Sequence, residues 1–109
     1  MNKSLNKYLN KKDSVDGYKF DSLAEAARYC ELKLMIRAKV ITDLEIHPKF
    51  SIDIAGMHVC TVIADFAYND CTIGPVVEDV KGMDTVVSRL KRKLVEAVHG
   101  IKIKVVKTG

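Results

Sequence analysis

Apolar side chains recur at three- and four-residue intervals along "DSLAEAARYCELKLMIRAKVI", residues 21–41. Leu23, Ala27, Cys30, Leu34 and Ala38 share one face, and Tyr29, Leu32 and Ile36 lie roughly opposite. The spacing predicts a helix covered on two sides. Ser22 followed three residues later by Glu25 is a capping box that starts it. Pro48 breaks the next segment. "KFSIDI" (49–54) and "MHVCTVIADFAY" (57–68) are rich in β-branched and aromatic residues and joined across Gly56, so both read as strands. "NDCTIGP" supplies turn residues, and "VVEDVK" (76–81) is the next strand. Thr85 or Asp84 caps a second helix, "VVSRLKRKLVEAVHG", with Val87, Leu90, Leu94 and Val98 inward and Gly100 as its stop. "IKIKVV" alternates as a final strand with Lys102 and Lys104 on its open face. The order helix, three strands, helix, strand is that of a small α/β domain with a mixed sheet. Residues 1–17 read as a basic arm ending at Gly17, and residues 18–109 as one domain.

Composition adds limits. A 109-residue chain that is 48% hydrophobic can bury a single core. No apolar run approaches the roughly 20 residues that cross a bilayer. The basic N-terminal stretch lacks the apolar segment of a secretory signal, so the expected location is the cytoplasm. Cys30, Cys60 and Cys71 are odd in number and widely spaced, which predicts reduced thiols and neither a disulfide framework nor a paired-cysteine metal site. The net charge of +4 is unevenly spread. Residues 1–20 hold five Lys against two Asp, and residues 84–109 seven basic residues against two acids. Between them, residues 43–83 hold two Lys against seven acids. An acidic centre between basic flanks suits a polyanion-binding protein whose central carboxylates hold metal ions; segregation over solvated surfaces is the plainer alternative.

The chemistry centres on "VVEDVKG", residues 76–82. Positions two apart in a strand share a face, so Asp79 and Lys81 project together with Val77, while Glu78 and Val80 point the other way. Asp65 stands among Ile63, Ala64 and Phe66 in the preceding strand, and pairing of the two strands brings it near Asp79. A Mg²⁺-type ion, which takes one or two carboxylates plus waters and phosphate, would resolve the repulsion there. An ordinary salt bridge to Lys81 is the competing account. Glu25 is the capping-box acid, yet it falls on the Tyr29–Leu32–Ile36 side, where it could reach a site at the helix start. On the second helix Arg89, Arg92 and Lys93 lie off the apolar stripe. Lys91 falls inside it, which predicts a buried lysine aimed at the acids or a phosphate, or one snorkelling past the core edge. Lys49 and the arm lysines Lys3, Lys7, Lys11 and Lys12 are candidate DNA-backbone contacts. His47, His58 and His99 show no ligand spacing and read as surface or edge residues. No phosphate-cradling glycine loop is present, so no nucleotide cofactor is expected.

An acid in one strand, acid-x-lysine in the next, a basic helix after them and a glutamate on the helix before them together resemble the PD-(D/E)XK nuclease superfamily. "NKKDSVDGYKFDSLAEAARYCELK", "HPKF", "IADFAY" and "VVEDVKG" resemble more closely a family of small phage-encoded proteins placed among the endonuclease I-like Holliday-junction resolvases. The likeness runs from about Asn10 to about Val106. It implies a restriction-endonuclease-like core, with Asp65 and Asp79 as ligands of Mg²⁺ (Mn²⁺ substituting), Glu25 as an additional acid and Lys81 as the catalytic lysine. It also implies branched DNA such as a four-way junction as substrate, a homodimer that cuts two strands, and the host cytoplasm if the chain is phage-encoded. Ala64 stands where the superfamily's name has proline, and the second acid is Asp79 where Glu is commoner. The alternatives are a nicking or sequence-specific nuclease of the same superfamily and a non-catalytic nucleic-acid-binding protein. Cleavage tested on duplex, flap and junction DNA discriminates them.

Overall fold

The computed structural model describes residues 14–107. Lys3, Lys7, Lys11 and Lys12 lie outside the described residues. The first elements, β1 (Ser14–Val15) and β2 (Tyr18–Lys19), form a hairpin turning through Asp16 and Gly17, both at positive φ. Val15 is buried, so the folded unit takes in residues before Gly17.

Helix α1 (Leu23–Arg37) starts as predicted, with Ser22 Oγ accepting the Glu25 N–H at 3.1 Å. It ends four residues early. Lys39 adopts φ +63, and the Lys39 and Val40 N–H groups return to the Ile36 and Met35 carbonyls. That is a Schellman closure with lysine where glycine is usual. The chain it releases becomes β3 (Ile41–Ile46), of which the predicted helix includes only Ile41 and to the rest of which the sequence pattern assigns no element. Of the two faces predicted to be covered, the Tyr29–Leu32–Ile36 face is, with Tyr29 and Leu32 buried and Ile36 partly so; the other is corrected, since Leu23, Ala27, Leu34 and Ala38 face solvent and only Cys30 is half-buried.

The remaining strands are β4 (Lys49–Ile54), β5 (Met57–Ile63), β6 (Phe66–Asp70), β7 (Gly74–Lys81) and β8 (Ile103–Lys107). The central sheet is mixed, in the order β3-β6-β7-β8, antiparallel except for the parallel β7–β8 pair. Its chain order is helix, three strands, helix, strand, but the first of the three is β3 and not "KFSIDI". That segment pairs with β5 in a separate hairpin. "MHVCTVIADFAY" is likewise two strands, broken at Ala64 and Asp65. Hydrogen bonding continues across the break, from His47 N–H to the Asp65 carbonyl and from Ala64 N–H to the Pro48 carbonyl, both at 3.0 Å. The β3–β6 and β4–β5 pairs are therefore one long ribbon, bent out of the sheet at His47–Pro48 and Ala64–Asp65.

Each sheet face has its own core. Phe20, Ala26, Tyr29, Leu32, Ile41, Phe66 and Tyr68 pack on the α1 side. Ile52, Val62, Ala64, Val77, Val95 and Ile103 pack between the bent ribbon, the sheet and α2 (Val86–His99). Thr85 caps α2, its Oγ1 accepting the Ser88 N–H at 3.0 Å, and Gly100 closes it at φ +69. The inward stripe predicted for α2 is corrected. Val95 is its buried residue, while Val87, Leu90 and Val98 are exposed and Leu94 is half-buried. The burial axis runs through Ser88, Arg92 and Val95, rotated from the apolar stripe because Arg92 turns inward to pair with Asp84. Lys91, expected inside, is exposed for the same reason. Among the described residues, no helix is long and apolar enough to cross a membrane.

Strand β7 is fixed to α1 by a buried charge pair. Glu78, fully buried, accepts from Arg28 Nε (2.7 Å) and Nη2 (3.1 Å) and from the Tyr68 hydroxyl (2.7 Å). Burial and the Glu78 bond push the Tyr68 hydroxyl up to about 12, so it stays a donor. Removing one member of such a pair strands the other charge. Arg28→Ala should cost about 3–5 kcal/mol in urea unfolding, and the double variant Arg28→Leu/Glu78→Leu should recover most of that loss. A single-variant cost below about 1 kcal/mol would place the pair among solvated surface bridges.

Candidate active site

The bend in the ribbon positions the acids. The β6–β7 ladder runs from Asp70↔Gly74 to Phe66↔Glu78 and stops where the chain turns away. Beyond it, Asp65 replaces the missing strand. Its N–H lies 3.2 Å from the Glu78 carbonyl and 3.1 Å from Asp79 Oδ1, and its own Oδ2 accepts the Val80 N–H at 2.7 Å. Each aspartate thus has one oxygen tied to the main chain of the other's segment. The expected pairing of Asp65 with Asp79 is present, although Asp65 sits at the break and not within a strand.

Lys81 follows on the same face of β7. Its Nζ donates to Ser88 Oγ in the first turn of α2 at 3.4 Å, and Ser88 Oγ is held in turn by Thr85 Oγ1 at 3.0 Å. No salt bridge joins Lys81 to Asp65 or Asp79 among the described residues, which answers the simple salt-bridge account. Its charge nonetheless favours the ionised form of both. Glu25 arrives from the start of α1 and is buried. Its carboxylate does not close a reciprocal capping box but lies 3.4 Å from His47 Nε2. His47, expected at the surface or an edge, sits at the ribbon's bend within "HPKF", a position that residue spacing does not mark.

All three acids are held above their ordinary range. Burial and the Asp65 charge push Glu25 up to about 7. Burial raises Asp65, with the Asp79 charge adding to it while the Val80 N–H opposes. Burial raises Asp79, against Lys81 and the bond from Asp65. The neighbouring Glu78, on the opposite face of the strand, is bonded to a guanidinium and a phenol. An all-oxygen donor set with excess negative charge fits a hard divalent cation. No three His, Cys, Asp or Glu side chains among the described residues converge as a ready-made cage. Mg²⁺ needs only one or two carboxylates and otherwise keeps its waters.

Of the predicted DNA contacts, Arg89, Arg92 and Lys93 border a groove of about 180 Å³ with Glu96, Lys102 and Ile103. Arg92 is committed to Asp84 at 2.5 and 3.0 Å, leaving Arg89, Lys93 and Lys102 as the more available cations. Lys49 and Lys91 are exposed away from these bonds. His58 and His99 lie at the surface as expected. Ser51, Asp53 and His58 cluster on the hairpin, but Ser51 and Asp53 share the same ring nitrogen (3.0 and 2.7 Å), which is not a nucleophile relay.

The raised Glu25 carboxyl has a consequence for folding. A folded value of about 7 against an ordinary 4.5 means that the folded state holds the proton more tightly. Stability from this group is complete below the ordinary value and is lost as pH rises through the folded one. In chelator-treated protein, Glu25→Gln should match the wild type at pH 4 and be more stable by on the order of 2–3 kcal/mol at pH 8. Denaturant melts at both pH values check this, and a stability difference that does not change with pH would contradict it.

No curated protein and no solved structure matches the chain. One family model matches residues 5–108, nearly its whole length, and its description is "protein of unknown function (DUF1064)". The chain belongs to the DUF1064 family.

Proposed function

We propose that this protein is a Mg²⁺-dependent, structure-selective DNA endonuclease of the PD-(D/E)XK type, resolving four-way junctions as a homodimer. The observation that supports the reading is the pair of interlocked carboxylates Asp65 and Asp79, neither of them in a salt bridge among the described residues, with Glu25 within electrostatic reach of Asp65 and Lys81 restrained by Ser88 on the same face. Asp65, Asp79 and Glu25 would hold the cation. When bound, Mg²⁺ or Mn²⁺ would polarise the phosphodiester and ease deprotonation of water. Lys81 orients the attacking water and stabilises charge gathering on the phosphoryl oxygens. The water oxygen bonds to phosphorus, the scissile P–O bond breaks, and the departing oxygen takes up a proton. The groove cations Arg89, Lys93 and Lys102 hold DNA phosphates, and cutting two strands of a junction calls for two subunits.

Asp79→Asn removes a carboxylate charge but leaves every DNA-phosphate partner in place. It should abolish Mg²⁺-dependent cleavage while junction affinity is unchanged or tighter. Lys81→Ala should lower kcat by roughly 10²–10³ with little change in DNA affinity, because its interaction is made mainly in the transition state. Equal activity and metal affinity in wild type and Asp79→Asn would end the nuclease assignment. Wild type that binds junctions tightly but never cleaves them would leave a non-catalytic DNA-binding protein.

Replacing Arg89, Lys93 and Lys102 together by Ala should flatten the salt dependence of junction binding by about 0.9 in log K per log salt for each DNA phosphate that is no longer neutralised. Gel-shift titrations at several salt concentrations measure the slope. An unchanged slope removes the groove from the DNA path.

A further inference from the structure

We infer that His47 is a positioning residue of the acid site, holding the Glu25 carboxylate in place toward Asp65. The inference rests on the nuclease reading and adds to its site a residue that the sequence pattern passed over.

The backbone at His47 is unusual in two respects. It has φ +54, in the left-handed region that few non-glycine residues occupy, and it directly precedes Pro48, where an extended conformation is the norm. Such conformations persist where the surroundings hold them, and they gather at functional sites. Here the hold is the bend of the ribbon itself, through the His47 N–H on the Asp65 carbonyl at 3.0 Å. The residue that shapes the Asp65 main chain is therefore the one whose ring reaches Glu25.

The ring is placed from two sides. Its centroid lies 5.9 Å from that of the buried Phe20, and Nε2 lies 3.4 Å from Glu25 Oε1. His47 is the side chain that hydrogen-bonds the Glu25 carboxylate among the described residues. When Glu25 is ionised, Nε2–H donates to Oε1 and leaves Oε2 for a ligand. Partners that orient a ligating carboxylate in this way typically carry a 10- to 100-fold share of metal affinity or activity.

Three variants separate positioning from mere folding. His47→Ala and His47→Gly should bind Mn²⁺ roughly 10- to 100-fold more weakly by calorimetry, and lose kcat comparably, while KM for junction DNA is nearly unchanged. Glycine accepts a positive φ, so His47→Gly should melt no lower than His47→Ala despite the same functional loss. His47→Gln keeps an N–H donor and should recover most of the metal affinity. Adding His47→Ala to Glu25→Ala should cost little further. Wild-type Mn²⁺ affinity and kcat in His47→Ala would overturn the inference alone, as would losses that simply follow melting temperature across the three variants. A wild-type protein that neither binds Mn²⁺ nor cleaves DNA would overturn it together with the nuclease reading.

Discussion

The candidate site depends on one bend. Where the β3–β4 and β5–β6 ribbon leaves the sheet at His47–Pro48 and Ala64–Asp65, strand β7 loses its antiparallel neighbour three residues before its end. A main-chain N–H left without a partner in a buried setting is costly, so Val80 N–H must find an acceptor. The Asp65 carboxylate fills that role, and Asp79 in turn accepts from Asp65 N–H. Repair of the sheet and assembly of the acid pair are the same two hydrogen bonds. The bend also carries the hairpin over α2, forming the second core, and brings His47 against Glu25.

Glu78 and Asp79 show how differently one fold can treat adjacent acids. They project from opposite faces of β7. On the α1 side, Arg28 and Tyr68 compensate Glu78 completely and bind the strand to the helix. On the α2 side, the nearest lysine is turned to Ser88, and Arg92 is occupied by Asp84. A merely structural acid pair in that position would be expected to draw a cation of its own. Asp65 and Asp79 instead each accept from a main-chain N–H, of Val80 and of Asp65 respectively, and burial holds both above the usual carboxylate range. The proposed metal-dependent cleavage would draw on this arrangement, two carboxylates without a salt-bridge partner among the described residues beside a tethered lysine.

Much of this was legible in the sequence, and the misreadings share a cause. Two-residue alternation placed Asp79 and Lys81 on one face and Glu78 on the other, and the Ser22, Thr85 and Gly100 signals marked helix ends correctly. The end of α1 was hidden because Lys39 adopts a left-handed conformation that glycine usually advertises. Ile41 to Ile46 was hidden in turn, since its bulge at Asp43 (φ +58) interrupts alternation. On α2 the apolar stripe was real, but periodicity reports which residues share a face and not which face is covered. Tertiary pairing of Arg92 with Asp84 decides the rotation of that helix, and it leaves both Val87 and Lys91 outside. His47 was invisible for a related reason: its role comes from a bend joining segments far apart in sequence.

If Glu25, Asp65 and Asp79 form a cation site, Mn²⁺ must bind the folded state and raise its melting temperature according to the free-ion concentration and Kd. The direct measurement is thermal unfolding of chelator-treated protein at pH 8 over a Mn²⁺ titration, beside the Asp65→Asn/Asp79→Asn double variant. A saturable rise in the wild type, absent or nearly so in the variant, is the predicted result. No rise in the wild type, or the same rise in both proteins, would contradict it.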